Sequence, residues 1–228
     1  TSFLIETSDG NVTDDQKIES ITYYDGLNKP KQGISLRAGG NREDLITPII
    51  YDQFGRKVKN YLPLTVIDNG ANYYTGNIES QLKTFYSNKF TDDFNSANSN
   101  WDWDNPYFEN LYDDSPLNKV KEVSSPGFDW RLGKGGIHTK KFDYGTNAET
   151  EGKKVKGKYN ASNDNEQILT SEGYYDPGVL FKSVNKDENW ISGLLNTSES
   201  FTDKNGKTIL TNSYIQQNSQ IVKLSTYF

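Results

Sequence analysis

Ile50-Tyr51-Asp52-Gln53-Phe54-Gly55-Arg56-Lys57-Val58-Lys59 reads as a complete β-hairpin in ten residues. Tyr51 closes a short apolar run. Asp52 can accept hydrogen bonds from the backbone two residues on, Gly55 tolerates positive φ, and Arg56 to Lys59 alternates back into a strand. The same grammar stands at Tyr24-Asp25-Gly26-Leu27-Asn28-Lys29, where Asn28, the next residue most tolerant of the left-handed region, replaces the glycine. A third copy is Phe201-Thr202-Asp203-Lys204-Asn205-Gly206-Lys207-Thr208-Ile209, again with Gly three after Asp and a cation next. One hairpin cannot bury both of its faces, so neighbours must stack. The predicted fold is mainly β: stacked antiparallel hairpins forming an extended sheet.

Outward from these turns, most of the chain reads as strand and turn. Lys17 to Tyr24 alternates as a half-buried strand, Lys31 to Arg37 returns, and Leu45 to Tyr51 leads into the second turn, with Ala38 to Glu43 as a flexible turn between them. Pro63 ends the following strand because it cannot donate to a central ladder. Later strands are expected at 153–159, 180–185, 199–202, 208–215 and 220–228. Between residues 70 and 115 the character changes, and one or two short helices are expected. Asn77 to Lys89 carries Ile78, Leu82 and Phe85 at helical spacing, with Glu79 early and Lys89 late. Three segments follow: 1–68 with two turns, an aromatic and Asx-rich insertion at 69–125, and 126–228 with the third, within one continuous domain.

The chain has 228 residues, 33% of them hydrophobic, so a core must lean on its 15 Tyr, 11 Phe and 4 Trp. The net charge of −6 is spread through interspersed acids and bases, which argues against a phosphate-binding surface, and no nucleic-acid partner is expected. There is no cysteine, hence no disulfide or thiolate zinc site. There is also no methionine, which suggests a segment of a longer or processed product. No apolar run approaches the ~18 residues of a membrane helix, and no membrane insertion is expected.

Few residues carry chemistry. His138 is the sole histidine, and with no nucleophile elbow and no Cys it reads as a hydrogen-bonded structural residue. Gly133-Lys134-Gly135-Gly136 lacks both phosphate-loop spacings and leads into a strand, so it reads as a tight turn. Ser8 to Asp15 and Trp101 to Asn105 are rich in Asp and Asn, yet neither completes a calcium loop. No catalytic residue, metal or cofactor is expected. An alternative class is a carbohydrate-binding or adhesive module with Trp101, Trp103, Tyr107 and Trp190 as stacking platforms.

Tyr-Asp-x-x-Gly-Arg followed by an alternating strand resembles the YD repeat of Rhs-type proteins. Residues 21–27, 47–56, 115–120 and 126–130, taken in order, resemble the uncharacterised domain that precedes the YD repeats in many large Rhs proteins of bacteria using type IX secretion. The motif positions are Tyr24, Asp25, Tyr51, Asp52, Gly55, Arg56, Asp203, Gly206 and Lys207. The resemblance implies structural roles for them: aromatic stacking, turn-capping aspartates and turn glycines. It also implies a secreted or cell-surface, non-enzymatic segment that caps or seeds a β-shell around a toxin or adhesin payload. Its partners would be the remainder of its own chain and, during export, the outer-membrane translocon. The few units, the long insertions and Asn28-Lys29 in place of Gly-Arg depart from the repeat and suit a terminal, capping position.

Overall fold

The structure is a computed structural model and describes Thr13 and residues 17–94, 105–133, 138–160 and 163–228, with 158–160 and 163–167 described by their backbone. It divides into two compact units, Thr1–Leu111 with Val123–Gly136, and Tyr112–Glu122 with Ile137–Phe228. The fold is mainly β and antiparallel. Among the described residues it holds fourteen strands and two short helices, and both helices fall within the 70–115 insertion as the sequence predicts.

The first unit is a meander of β1 (Glu19–Tyr24), β2 (Pro30–Leu36) and β3 (Asp44–Ile50), extended by β4 (Lys59–Tyr61) and β5 (Leu64–Val66). β3 pairs with β2 along one side; on the other, Asp44 to Ile46 pair with β5, and Ile49 and Ile50 pair with β4. Pro48 falls in the interval between those two partners, where the ladder on that side is interrupted. Leu62-Pro63 separates β4 from β5, as the missing donor dictates, and the Pro63 carbonyl accepts the Tyr86 hydroxyl at 2.8 Å.

α1 (Ile78–Lys89) begins at Asn77, whose side chain accepts the Ser80 N–H at 3.2 Å. Its apolar stripe covers the sheet: Leu82 is fully buried beside Tyr61 and Leu64, and Ile78, Phe85, Tyr86 and Tyr107 pack around them. α2 (Thr91–Phe94) continues the chain and buries Phe94 against Tyr86. β6 (Tyr107–Tyr112) then pairs with β4. β7 (Val120–Ser124) follows, its last two residues in the first unit, where Ser124 Oγ accepts the Glu109 N–H at 3.1 Å.

In the second unit the strand order is β8 (Lys140–Thr146), β11 (Phe181–Lys186), β12 (Thr197–Thr202), β13 (Thr208–Gln217) and β14 (Gln220–Tyr227). β9 (Lys153–Asn160) and β10 (Asn163–Tyr174) form a separate two-stranded hairpin inserted between β8 and β11. Buried Asn147 holds the two ends of that insertion together. Its Nδ2 donates to the Asp176 carbonyl at 2.9 Å and the Tyr175 carbonyl at 3.3 Å, and its Oδ1 accepts the Leu180 N–H at 2.8 Å. Its own backbone exchanges bonds with Leu180 and Gly178. Leu180, Phe201 and Leu210 form the core above, with Tyr175, Ile209 and Tyr227 around them.

Candidate functional site

The three turns singled out in the sequence are superimposable in their hydrogen bonds. In each, the aspartate N–H donates to the carbonyl of the fourth residue on: Lys29 at 2.8 Å, Arg56 at 3.0 Å and Lys207 at 2.9 Å. The third residue on returns its N–H to the aspartate carbonyl, Asn28 at 3.1 Å, Gly55 at 2.9 Å and Gly206 at 3.0 Å. The aspartate Oδ1 then accepts two more N–H groups. They come from Leu27, Phe54 and Asn205 at 2.8–2.9 Å, and from Lys29, Arg56 and Lys207 at 2.8–2.9 Å. This is a three-residue type I hairpin loop closed by a left-handed residue, and the φ values of Asn28, Gly55 and Gly206 are 61°, 74° and 80°.

Each turn also carries a bulge on its return strand. Tyr23 pairs with Gln32 but Tyr24 with Pro30, leaving Lys31 extra; Phe201 pairs with Leu210 but Thr202 with Thr208, leaving Ile209 extra. Between the Ile50–Lys59 pair and the Asp52–Arg56 closure, Tyr51 likewise faces two residues, Lys57 and Val58. A bulge of this kind bends and twists the ladder, so the repeated motif sets sheet curvature as well as reversal.

Two of these carboxylates, Asp25 and Asp52, are held as anions by these donors. At Asp25 the Lys29 N–H, with that of Leu27, lowers the carboxyl below its ordinary range. At Asp52 loss of water pushes the other way, but the Arg56 N–H, the Arg56 guanidinium at 2.8 Å and the Phe54 N–H outweigh it, and the net shift is downward.

Two further loops have a related closure: the Ala38–Glu43 turn that the sequence predicts, and one at Asp113 to Lys119 that sequence reading missed. At Gly39 to Glu43 the N–H of Gly39 donates to the Glu43 carbonyl at 2.9 Å and that of Arg42 to Gly39 at 3.0 Å, with Arg42 at φ 65°. No aspartate opens this loop; Glu43 at its far end accepts the Asn41 N–H at 2.8 Å instead. At Asp113 to Lys119 the aspartate again accepts the closing N–H, at 2.9 Å, over a loop two residues longer, with Asn118 at φ 47°. An Asp followed by Asn or Gly at any short spacing, rather than at three alone, was the available signal for the second.

Successive turns also touch. Tyr51 of the second donates its hydroxyl to the Pro30 carbonyl just past the first, at 3.1 Å, and the Lys29 ammonium lies 5.4 Å over the Tyr51 ring. Tyr24, in the first turn, is exposed.

The second unit holds a buried polar layer that sequence reading missed. Glu199 accepts from Lys182 at 2.9 Å, Asn212 at 3.0 Å and Tyr214 at 2.9 Å, and Ser225 donates to Asn212 at 2.9 Å. Lys182 also meets Glu151 at 2.5 Å. Burial raises the Glu199 carboxyl, yet Lys182, Asn212 and Tyr214 outweigh it and hold it low; burial beside Glu199 pushes the Tyr214 phenol up to about 12. Each of these side chains has a hydrogen-bond or ion-pair partner within the layer.

The remaining candidates fall in different units or outside the described residues. His138 Nδ1 lies 3.0 Å from the Glu188 carbonyl oxygen. Tyr107, in the first unit, leans on Tyr61 at 5.1 Å with Lys59 4.3 Å over its ring. Trp190, in the second, donates to the Gly193 carbonyl at 3.0 Å and carries Lys186 4.4 Å over its ring. Trp101 and Trp103 lie outside the described residues, as do Lys134 to Gly136 and all of the Ser8–Asp15 stretch except Thr13. Among the described residues no three His, Cys, Asp or Glu side chains are placed to hold a metal, and no helix is long and apolar enough to cross a membrane.

An antiparallel β-meander punctuated by identical Asp-capped, bulged turns is the class of protein that this fold defines. The chain belongs to the family described as Domain of unknown function (DUF6443), whose model matches residues 3–146. No curated protein matches it.

Proposed function

We propose that this chain is a non-enzymatic structural segment of a large secreted or cell-surface Rhs/YD-repeat protein, a carrier for a toxin or adhesin payload. In this reading it caps or seeds a β-shell and travels as a substrate of the secretion route. The observation that carries it is the identity of the three turns together with the Tyr51–Pro30 and Lys29–Tyr51 contacts. Asp25, Asp52 and Asp203 close their own turns and Tyr51 reaches the neighbouring one, which suits an extended, self-stacking sheet.

The test is the size and location of the native polypeptide. An antibody against the second unit is expected to recover, from culture supernatant or the cell surface, a chain several times heavier than 25.9 kDa. Recovery of a 25.9 kDa species confined to the cell interior would overturn the reading.

A further inference from the structure

In the second unit, Phe142 pairs with Asn185, Asn185 with Ser198, and Ser198 with Ser213. These four residues therefore form one row across β8, β11, β12 and β13, on the face opposite Glu199 and Asn212. A cleft of about 400 Å³ lies along this row, with Ile215 and Lys140 at its margins. Its volume falls in the range of small-ligand sites.

What the cleft offers along this row is uncharged. The side chains of Asn185, Ser198 and Ser213 take no hydrogen bond from any described residue. The lining cations already have carboxylates: Lys140 meets Glu188 at 3.5 Å, and Lys186 meets Asp143 at 2.5 Å. Asp187 accepts the Asn189 N–H at 2.8 Å. An anion would have to compete with those carboxylates. A purely apolar ligand would strip water from an amide and two hydroxyls without replacing their hydrogen bonds, at about 1–3 kcal/mol for each. A ligand that suits the row has hydroxyls at short, regular intervals and apolar C–H faces between them, since the polar groups stand on successive strands ~4.8 Å apart with Phe142 and Ile215 beside them.

We infer that this cleft binds an uncharged saccharide, with Phe142 against a sugar-ring face and Asn185, Ser198 and Ser213 hydrogen-bonding its hydroxyls. The inference does not depend on the scaffold reading; a carrier and a free-standing module could both present such a cleft. Amide chemical shifts of the full chain, titrated with cellotetraose, maltotetraose and N-acetylchitotetraose, test it. At least one is expected to bind saturably at millimolar concentration or below, with shifts centred on Asn185, Ser198 and Ser213. Asn185→Ala is expected to weaken that binding about tenfold, the worth of one or two hydrogen bonds. Phe142→Leu, which keeps the apolar packing, is expected to weaken it without moving the melting temperature. The inference fails if none of the three sugars gives a saturable shift, if both variants bind as well as the parent, or if inorganic phosphate displaces the sugar.

Discussion

The Tyr51 hydroxyl donates to the Pro30 carbonyl at 3.1 Å, which ties the second Asp turn to the strand leaving the first. The two residues are 21 apart in sequence and belong to consecutive units of one pattern. Removing only the hydroxyl tests the tie: Tyr51→Phe is expected to cost about 1 kcal/mol in urea unfolding. Tyr51→Ala should cost more, because the ring under Lys29 goes too.

The left-handed positions separate backbone cost from contact cost. A Cβ on Gly206 meets nothing within 4 Å, so Gly206→Ala reports the backbone alone, about 1–2 kcal/mol. At Gly55 a Cβ would stand 2.7 Å from the Lys29 Nζ, the tip of a flexible side chain, and Gly55→Ala should cost only slightly more. Asn28→Gly is expected to stabilise the first turn by less than about 1 kcal/mol. A loss on Asn28→Gly, or strongly unequal losses on Gly206→Ala and Gly55→Ala, would contradict the equivalence of the turns.

Acid should loosen the chain from its turns. The Asp25 and Asp52 carboxyls ionise below their ordinary value in the fold, so the ionised forms favour the folded state. That contribution is complete above the unfolded value of about 3.9 and is lost as pH falls through the lower folded values. Melting temperature is expected to drop below about pH 4, and the double variant Asp25→Asn, Asp52→Asn to start lower and fall less. An unchanged acid limb in that variant would assign it to other carboxylates.

Tyr214 should titrate well above an ordinary tyrosine. With its phenol pushed up to about 12, the folded state retains the proton, so its contribution to stability holds below the unfolded value of about 10 and is lost as pH rises through 12. Tyrosine ring carbon shifts followed by NMR would show this, and Glu199→Gln is expected to bring the value down. The same substitution leaves Lys182 with Glu151 alone and should cost about 1–3 kcal/mol, less than a fully buried pair because both side chains keep some water.

Asn147→Ala should be among the most damaging single changes in the second unit, at about 2–3 kcal/mol, since it leaves the buried Leu180 N–H without a partner and takes the amide donor from the Tyr175 and Asp176 carbonyls. Hydrogen exchange would locate the effect: the Leu180 amide should lose protection first.

The sequence by itself determined the local rules. An aspartate three before a residue that accepts positive φ specifies a bulged hairpin, because all of that turn's hydrogen bonds close within five residues. Ile78, Leu82 and Phe85 at helical spacing specified α1 for the same reason of short range, and Pro63 the break after β4. Which turns touch, and through what, needed the tertiary structure. Tyr51 reaches Pro30, Asn147 clamps an insertion of some thirty residues, and Glu199 gathers Lys182, Asn212 and Tyr214 only because strand register brings them into one layer. An Asn or Glu in a polar strand looks solvated until a neighbouring strand buries it, and register across sequence-distant strands is a sum of many weak pair preferences that no single stretch contains.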